Sequence, residues 1–176
     1  MKKTLELIIV LFLLYTSASG QSEPFDRLNF LIGEWSGSGS GFGNDKSKIE
    51  STFTLTMDSK YIEVINDSKF DPTPNNPQGE HHIDKGFISF DGSRKLIVFR
   101  QFNIEGYINQ YILVDSLSSD KELVFVTESI ENFVPGGKAK WTIKKISASR
   151  IETVFDVYFP NKGYTCMGTN FLIKKD

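Results

Sequence analysis

The chain has 176 residues and a formal net charge of −2, enough for one domain with a core of its own. The mild acidity, without a basic run, excludes nucleic acid as the main partner and gives no attraction to an anionic membrane. A single cysteine, Cys166, excludes an internal disulfide and any Cys-based zinc site, so the fold must rest on its apolar core.

The first twenty residues read as a signal peptide. Lys2 and Lys3 precede an apolar run, Leu7 to Leu14, too short to span a bilayer. Ala18 and Gly20 stand at the −3 and −1 positions of a cleavage site before Gln21. Residues 21–176 are then the exported domain, periplasmic or secreted, with no stable membrane insertion.

Pro24 to Leu31 reads as one or two helical turns, with Phe25, Leu28, Leu31 and Ile32 near helical spacing. Beyond Gly33 the chain reads as strands. Gly33-Glu34-Trp35 leads into glycines that alternate with serines as far as Gly43. Their spacing satisfies neither G-x-G-x-x-G nor G-x-x-x-x-G-K-[ST], which excludes a phosphate loop. Backbone freedom for a tightly bent first strand is the better reading. Trp35 beside them is both a plug for one barrel end and a candidate pocket wall.

Thr52 to Met57 alternates with the period of a half-buried strand. Lys60 to Ile65 follows an Asp58-Ser59 turn. Asp71 to Gly79, with three prolines, is the longest loop. Further strands are expected over Ile83 to Phe90, Lys95 to Asn103, Tyr107 to Val114, Glu122 to Glu128, Lys138 to Ile146, Ile151 to Phe159 and Tyr164 to Ile173. That makes about ten strands with short connections and no crossover helix. An antiparallel up-and-down sheet of this size avoids exposed edges by closing into a barrel. About ten strands leave room inside for one small ligand.

The opening LNFLIGEWSGSGSG resembles that of the nitrobindin-like and fatty-acid-binding-protein-like barrels. Those begin with a short helix and a G-x-W-x-G-x-G signature, here Gly33, Trp35, Gly37 and Gly39. His81 to Tyr111 is similar to the middle of an exported bacterial family of unknown function. The resemblance implies a lipocalin-like calycin barrel. Nitrobindins hold haem through a histidine near the C-terminal end of the barrel. Here residues 138–176 contain none, so no haem or other cofactor is expected.

Several residues are candidates for chemistry. Arg100 shares a face with Leu96, Val98 and Phe102, which suggests a guanidinium turned inward against Glu105 or a ligand carboxylate. Tyr107, Asn109 and Tyr111 alternate on the next strand and suit a pocket wall. The expected ligand-binding set is therefore Trp35, Arg100, Glu105, Asn109 and Tyr111. His81 and His82 are the weak metal or haem candidates, although in a strand they point to opposite faces. Cys166 reads as a small buried residue. Asn66-Asp67-Ser68 is a glycosylation sequon. Neither G-x-S-x-G nor H-E-x-x-H occurs. The leading reading is a binding protein for a small, largely apolar or amphipathic molecule. An isomerase, cyclase or hydrolase using His82, Glu105 or Tyr111 is the alternative, and haem or metal binding through His81 or His82 another.

Overall fold

The computed structural model describes residues 24–41, 45–74 and 76–176; the signal-peptide reading lies outside them. A 3₁₀ turn, Asp26–Leu31, precedes ten strands: β1 (Gly33–Gly41), β2 (Asp45–Thr56), β3 (Tyr61–Phe70), β4 (Glu80–Asp91), β5 (Leu96–Asn103), β6 (Ile108–Leu113), β7 (Glu122–Glu131), β8 (Lys138–Ser147), β9 (Arg150–Phe159) and β10 (Gly163–Lys174). Each strand pairs antiparallel with its sequence neighbour, and β1 pairs with β10 from Trp35↔Lys174 to Gly41↔Gly168, so the sheet closes into a barrel. The helix expected at the start is a single 3₁₀ segment, and the strand count is as expected.

Several strand boundaries moved, β4 starting at Glu80 and β7 ending at Glu131, and the largest shifts, in β2 and β3, have a physical reason. β2 begins at Asp45, not Thr52, because Ser47 and Ser51 face the interior and are buried. Their polarity hides the alternation that Ile49 and Phe53 would otherwise show. β3 continues to Phe70 through the polar run Asn66-Asp67-Ser68 for the same reason.

The glycine strand is needed where the barrel seam closes. A Cβ on Gly37 would stand 1.9 Å from the carbonyl oxygen of Phe171, a separation no side chain tolerates. β1 can therefore lie against β10 at this curvature only with glycine there.

The barrel's two ends differ. At one, the 3₁₀ turn carries Leu28 and Leu31 into the core beside Trp35, all fully buried. Trp35 Nε1 donates to the Leu31 carbonyl at 2.7 Å and fastens this plug to β1. Above it lies a layer of rings. Trp141 stacks parallel to Phe53 at 6.4 Å and meets Phe99 at 5.4 Å and Phe125 at 5.7 Å between ring centroids. These four side chains close the lower half of the barrel. On the outer face of β8 and β9, the directly opposed pairs Lys140–Asp156 and Lys144–Glu152 form ion pairs at 3.0 and 2.7 Å.

Cys166 is exposed, not buried. The ladder between β9 and β10 shifts register between Cys166 and Gly168, and the extra residue, Met167, takes the inward place. The sequon is not presented to solvent, since Asn66 faces the interior and its Oδ1 accepts a hydrogen bond from Ser51.

Candidate functional site

The upper half of the barrel holds a cavity of about 570 Å³. Ile49, Tyr111 and Trp141 form its floor, and Phe155, Val157 and Phe159 one wall, with Phe70, Phe133 and Met167 toward the mouth. The opposite wall comes from β4 to β6: Glu80, His82 and Asp84, then Gln101 and Asn103, then Tyr111, with Tyr107 just before β6. Glu105, in the turn between β5 and β6, completes the mouth. Gly86 continues the inward row of β4 opposite Gln101, and a Cβ there would stand 2.0 Å from the Arg100 carbonyl oxygen, so glycine lets β4 and β5 pair closely.

His82 stands between two carboxylates. Its Nδ1 lies 2.5 Å from Glu105 Oε1 and its Nε2 2.9 Å from Glu80 Oε2. Burial works against the charged imidazole, but the hydrogen bonds and charges of Glu80 and Glu105 outweigh it and raise its pKa above the ordinary value. In that imidazolium form both nitrogens donate, and neither lone pair is free for a metal. The ring also meets the edge of Phe70 at 5.7 Å. Asp84, two residues along the same face, has no hydrogen-bonded side-chain partner among the described residues. Burial pushes its carboxyl up to about 7; the charge of Glu105 adds to the shift and that of His82 opposes it.

At the base of this wall, Asn109 is fully buried. Its Nδ2 donates to Gln101 Oε1 at 3.2 Å and to Tyr111 Oη at 3.1 Å. Its Oδ1 is buried without a partner among the described residues. Burial holds the Tyr111 phenol well above its ordinary pKa, so it keeps its proton.

The structure brings together Glu105, Asn109, Tyr111 and His82 of the residues singled out from the sequence. It separates the others. Trp35 belongs to the plug and does not line the cavity. Arg100 is on the outer face, with Ser89 Oγ 3.5 Å away as its polar contact. The inward face of β5 carries Ile97, Phe99 and Gln101 instead. Both faces of β5 are apolar, and Val98 on the outer one is only 2% exposed, so hydrophobicity could not assign the parity. His81 points outward to Asp67, 3.1 Å from Nε2. Asp84 and Gln101 were missed, although Asp84 shares a strand face with His82, already recognised. Among the described residues no group of three or more His, Cys, Asp or Glu side chains is placed to hold a metal ion.

The fold is thus a closed ten-stranded antiparallel barrel, plugged at one end and hollow at the other, the architecture of a calycin-like barrel. Among solved structures the chain is similar to Rv2717c from M. tuberculosis, at 14% identity and a TM-score of 0.64, covering 88% of this chain and 99% of that one. Two designed barrels are more distant. A de novo designed fluorescence-activating barrel has 10% identity and a TM-score of 0.45 over 85% of this chain and 98% of its own. EF1p2_mFAP2b, bound to DFHBI, has 12% identity and a TM-score of 0.44 over 87% and 100%. At these identities the likeness bears on the fold alone. No protein-family model and no curated protein sequence matches the chain.

Proposed function

We propose that this protein is an exported, nitrobindin-related binding protein that holds one small amphipathic molecule in the open half of its barrel. The observation that carries this reading is the cavity itself, with a ring-lined floor and wall and polar groups gathered along one side. A ligand burying about 150 Å² of apolar surface gains roughly 4 kcal/mol before the costs of association. The polar wall then orients it. His82 is read as a mouth residue that positions Glu80 and Glu105, not as a haem or metal ligand, because both of its nitrogens are committed to carboxylates.

Trp141 in the floor is a built-in reporter, so a ligand that fills the cavity should quench its fluorescence with one-to-one stoichiometry. Titration with Nile red, a neutral apolar dye, tests this. Val157 lines the wall and is nearly buried, so Val157→Trp should fill the space. That variant should lose at least about 10-fold in affinity, 1.4 kcal/mol, while keeping its thermal transition. Undiminished binding by Val157→Trp would place the dye elsewhere and sink the reading.

One observation favours an acid–base enzyme as a second reading. Asp84 faces the cavity with a carboxyl that titrates near neutrality, beside the His82–Glu105 pair. Such a base should exchange the α-protons of a bound ketone with D₂O, which proton NMR would follow. Equal exchange by the native chain and Asp84→Asn would remove this alternative.

A further inference from the structure

The polar base of the cavity has a fixed hydrogen-bonding sense, and that sense specifies ligand chemistry. Asn109 spends both amide protons on its neighbours: one on Gln101 Oε1, one on Tyr111 Oη. With Oε1 occupied, the Gln101 amino group is left to donate. With Oη accepting from Asn109, the Tyr111 hydroxyl proton is left to donate. Both side chains line the cavity, and among the described residues neither group has a protein acceptor for these protons.

The opposite sense is disfavoured. Turning the Asn109 amide over would bury two unpartnered N–H groups in place of one unpartnered carbonyl oxygen, and buried orphan donors are the rarer and costlier kind.

We propose that Tyr111 Oη–H and Gln101 Nε2–H, set by Asn109, form a donor site for a neutral carbonyl oxygen at the deep end of the cavity. This rests on the ligand-binding reading above. A carboxylate is excluded as the deep group because, among the described residues, no Lys or Arg lines the cavity. Asp84 is also close enough for its charge to work against ionisation of Tyr111. An alcohol would use the site only through its oxygen lone pairs. A ring-bearing ketone, ester or amide, carbonyl first, fills both the donors and the aromatic space.

The test uses two probes of matched shape: 2-dimethylamino-6-propionylnaphthalene and its 6-propyl counterpart, which lacks the carbonyl. The native protein should bind the ketone about 10-fold more tightly than the propyl compound. Emission of the bound ketone should lie at the longer wavelengths of a hydrogen-bonded carbonyl. Tyr111→Phe and Gln101→Leu should each cut the ketone-to-propyl affinity ratio to about 3-fold or less. Equal binding of both probes by the native protein would overturn the donor site alone. If neither probe binds, the ligand-binding reading fails and this inference with it. Should Tyr111→Phe fail to fold, Gln101→Leu and the emission of the native complex still decide the matter.

Discussion

His82 Nδ1 and Glu105 Oε1 lie 2.5 Å apart, and the other ring nitrogen of His82 holds Glu80 at 2.9 Å. One imidazole thus ties the start of β4 to the β5–β6 turn across the cavity mouth. It also offsets part of the negative charge that Glu80, Asp84 and Glu105 place there. The mouth therefore holds two groups, His82 and Asp84, whose charge responds to pH near neutrality.

Stability should fall as pH rises from 5 to 8. The pKa of His82 is raised in the fold, so its contribution is complete below about 6.5 and is lost as pH passes its folded value. Asp84 is raised from 3.8 to about 7. The native state keeps a proton that the unfolded chain has already released, and stability is lost over that same interval. Both slopes have one sign. Asp84→Asn should gain roughly 1–3 kcal/mol over the native chain at pH 8, after allowance for the water that reaches this group. At pH 4 the two should be about equal. Thermal unfolding across this range checks it, and a native transition that rises from pH 5 to 8 would contradict it.

Trp35→Ala should destabilise the protein by about 3–5 kcal/mol, because it empties the fully buried plug. Trp35→Phe keeps most of the ring but strands the Leu31 carbonyl that Nε1 satisfies. A loss of about 1–3 kcal/mol is expected. Since Trp35 lies outside the cavity lining, Nile red affinity of the folded Trp35→Phe protein should stay within about twofold, well under the tenfold that 1.4 kcal/mol represents. Denaturant unfolding and dye titration separate the two effects.

The barrel was legible in the sequence because its strands alternate and its connections are short. Thr52 to Met57 shows the period directly, and the glycines after Trp35 mark a bent strand. The site was legible only in part. Tyr107, Asn109 and Tyr111 alternate as a wall, and they do line or underlie the cavity. Arg100 misled because both faces of β5 are apolar, so parity had to come from the closed sheet. Asp84 gave one faint signal, its place two residues from His82 on the same strand face, and is otherwise one acid among many until burial shifts its carboxyl. Cys166 was misplaced by a bulge, and a one-residue register shift leaves no mark on composition.

Arg100→Ala should be close to silent. The guanidinium is exposed, and its one polar contact among the described residues is at the outer limit of a hydrogen bond. Stability should change by less than about 0.5 kcal/mol. The affinity of the ketone probe should be unaltered, and so should that of an acidic naphthalene. A selective loss for the acid would return Arg100 to the site.

Gly37→Ala should break the seam. The new Cβ would overlap the Phe171 carbonyl oxygen, a backbone atom that cannot rotate away. β1 and β10 must then separate where the barrel closes, at a cost of about 2 kcal/mol or more. Gly92→Ala is the control, because nothing lies within 4 Å of its Cβ. It should be neutral or stabilising by about 0.4–1 kcal/mol, through the lower entropy of its unfolded chain.

The mouth should select by charge. Three carboxylates share the mouth with one imidazole, and among the described residues no Lys or Arg lines the cavity. A ligand whose apolar body fills the barrel leaves its polar end among Glu80, Asp84 and Glu105, where a cation is attracted and an anion repelled. 2-Naphthylmethylammonium should therefore bind more tightly than 2-naphthoate, by about 10-fold at pH 8 and low salt. The preference should shrink at pH 5, where Asp84 is protonated. It should also shrink in high salt, since the mouth is open to solvent. Glu105→Gln should weaken the ammonium and strengthen the carboxylate together. A change in both ligands of the same sign would mean that Glu105 shapes the cavity instead of setting its potential.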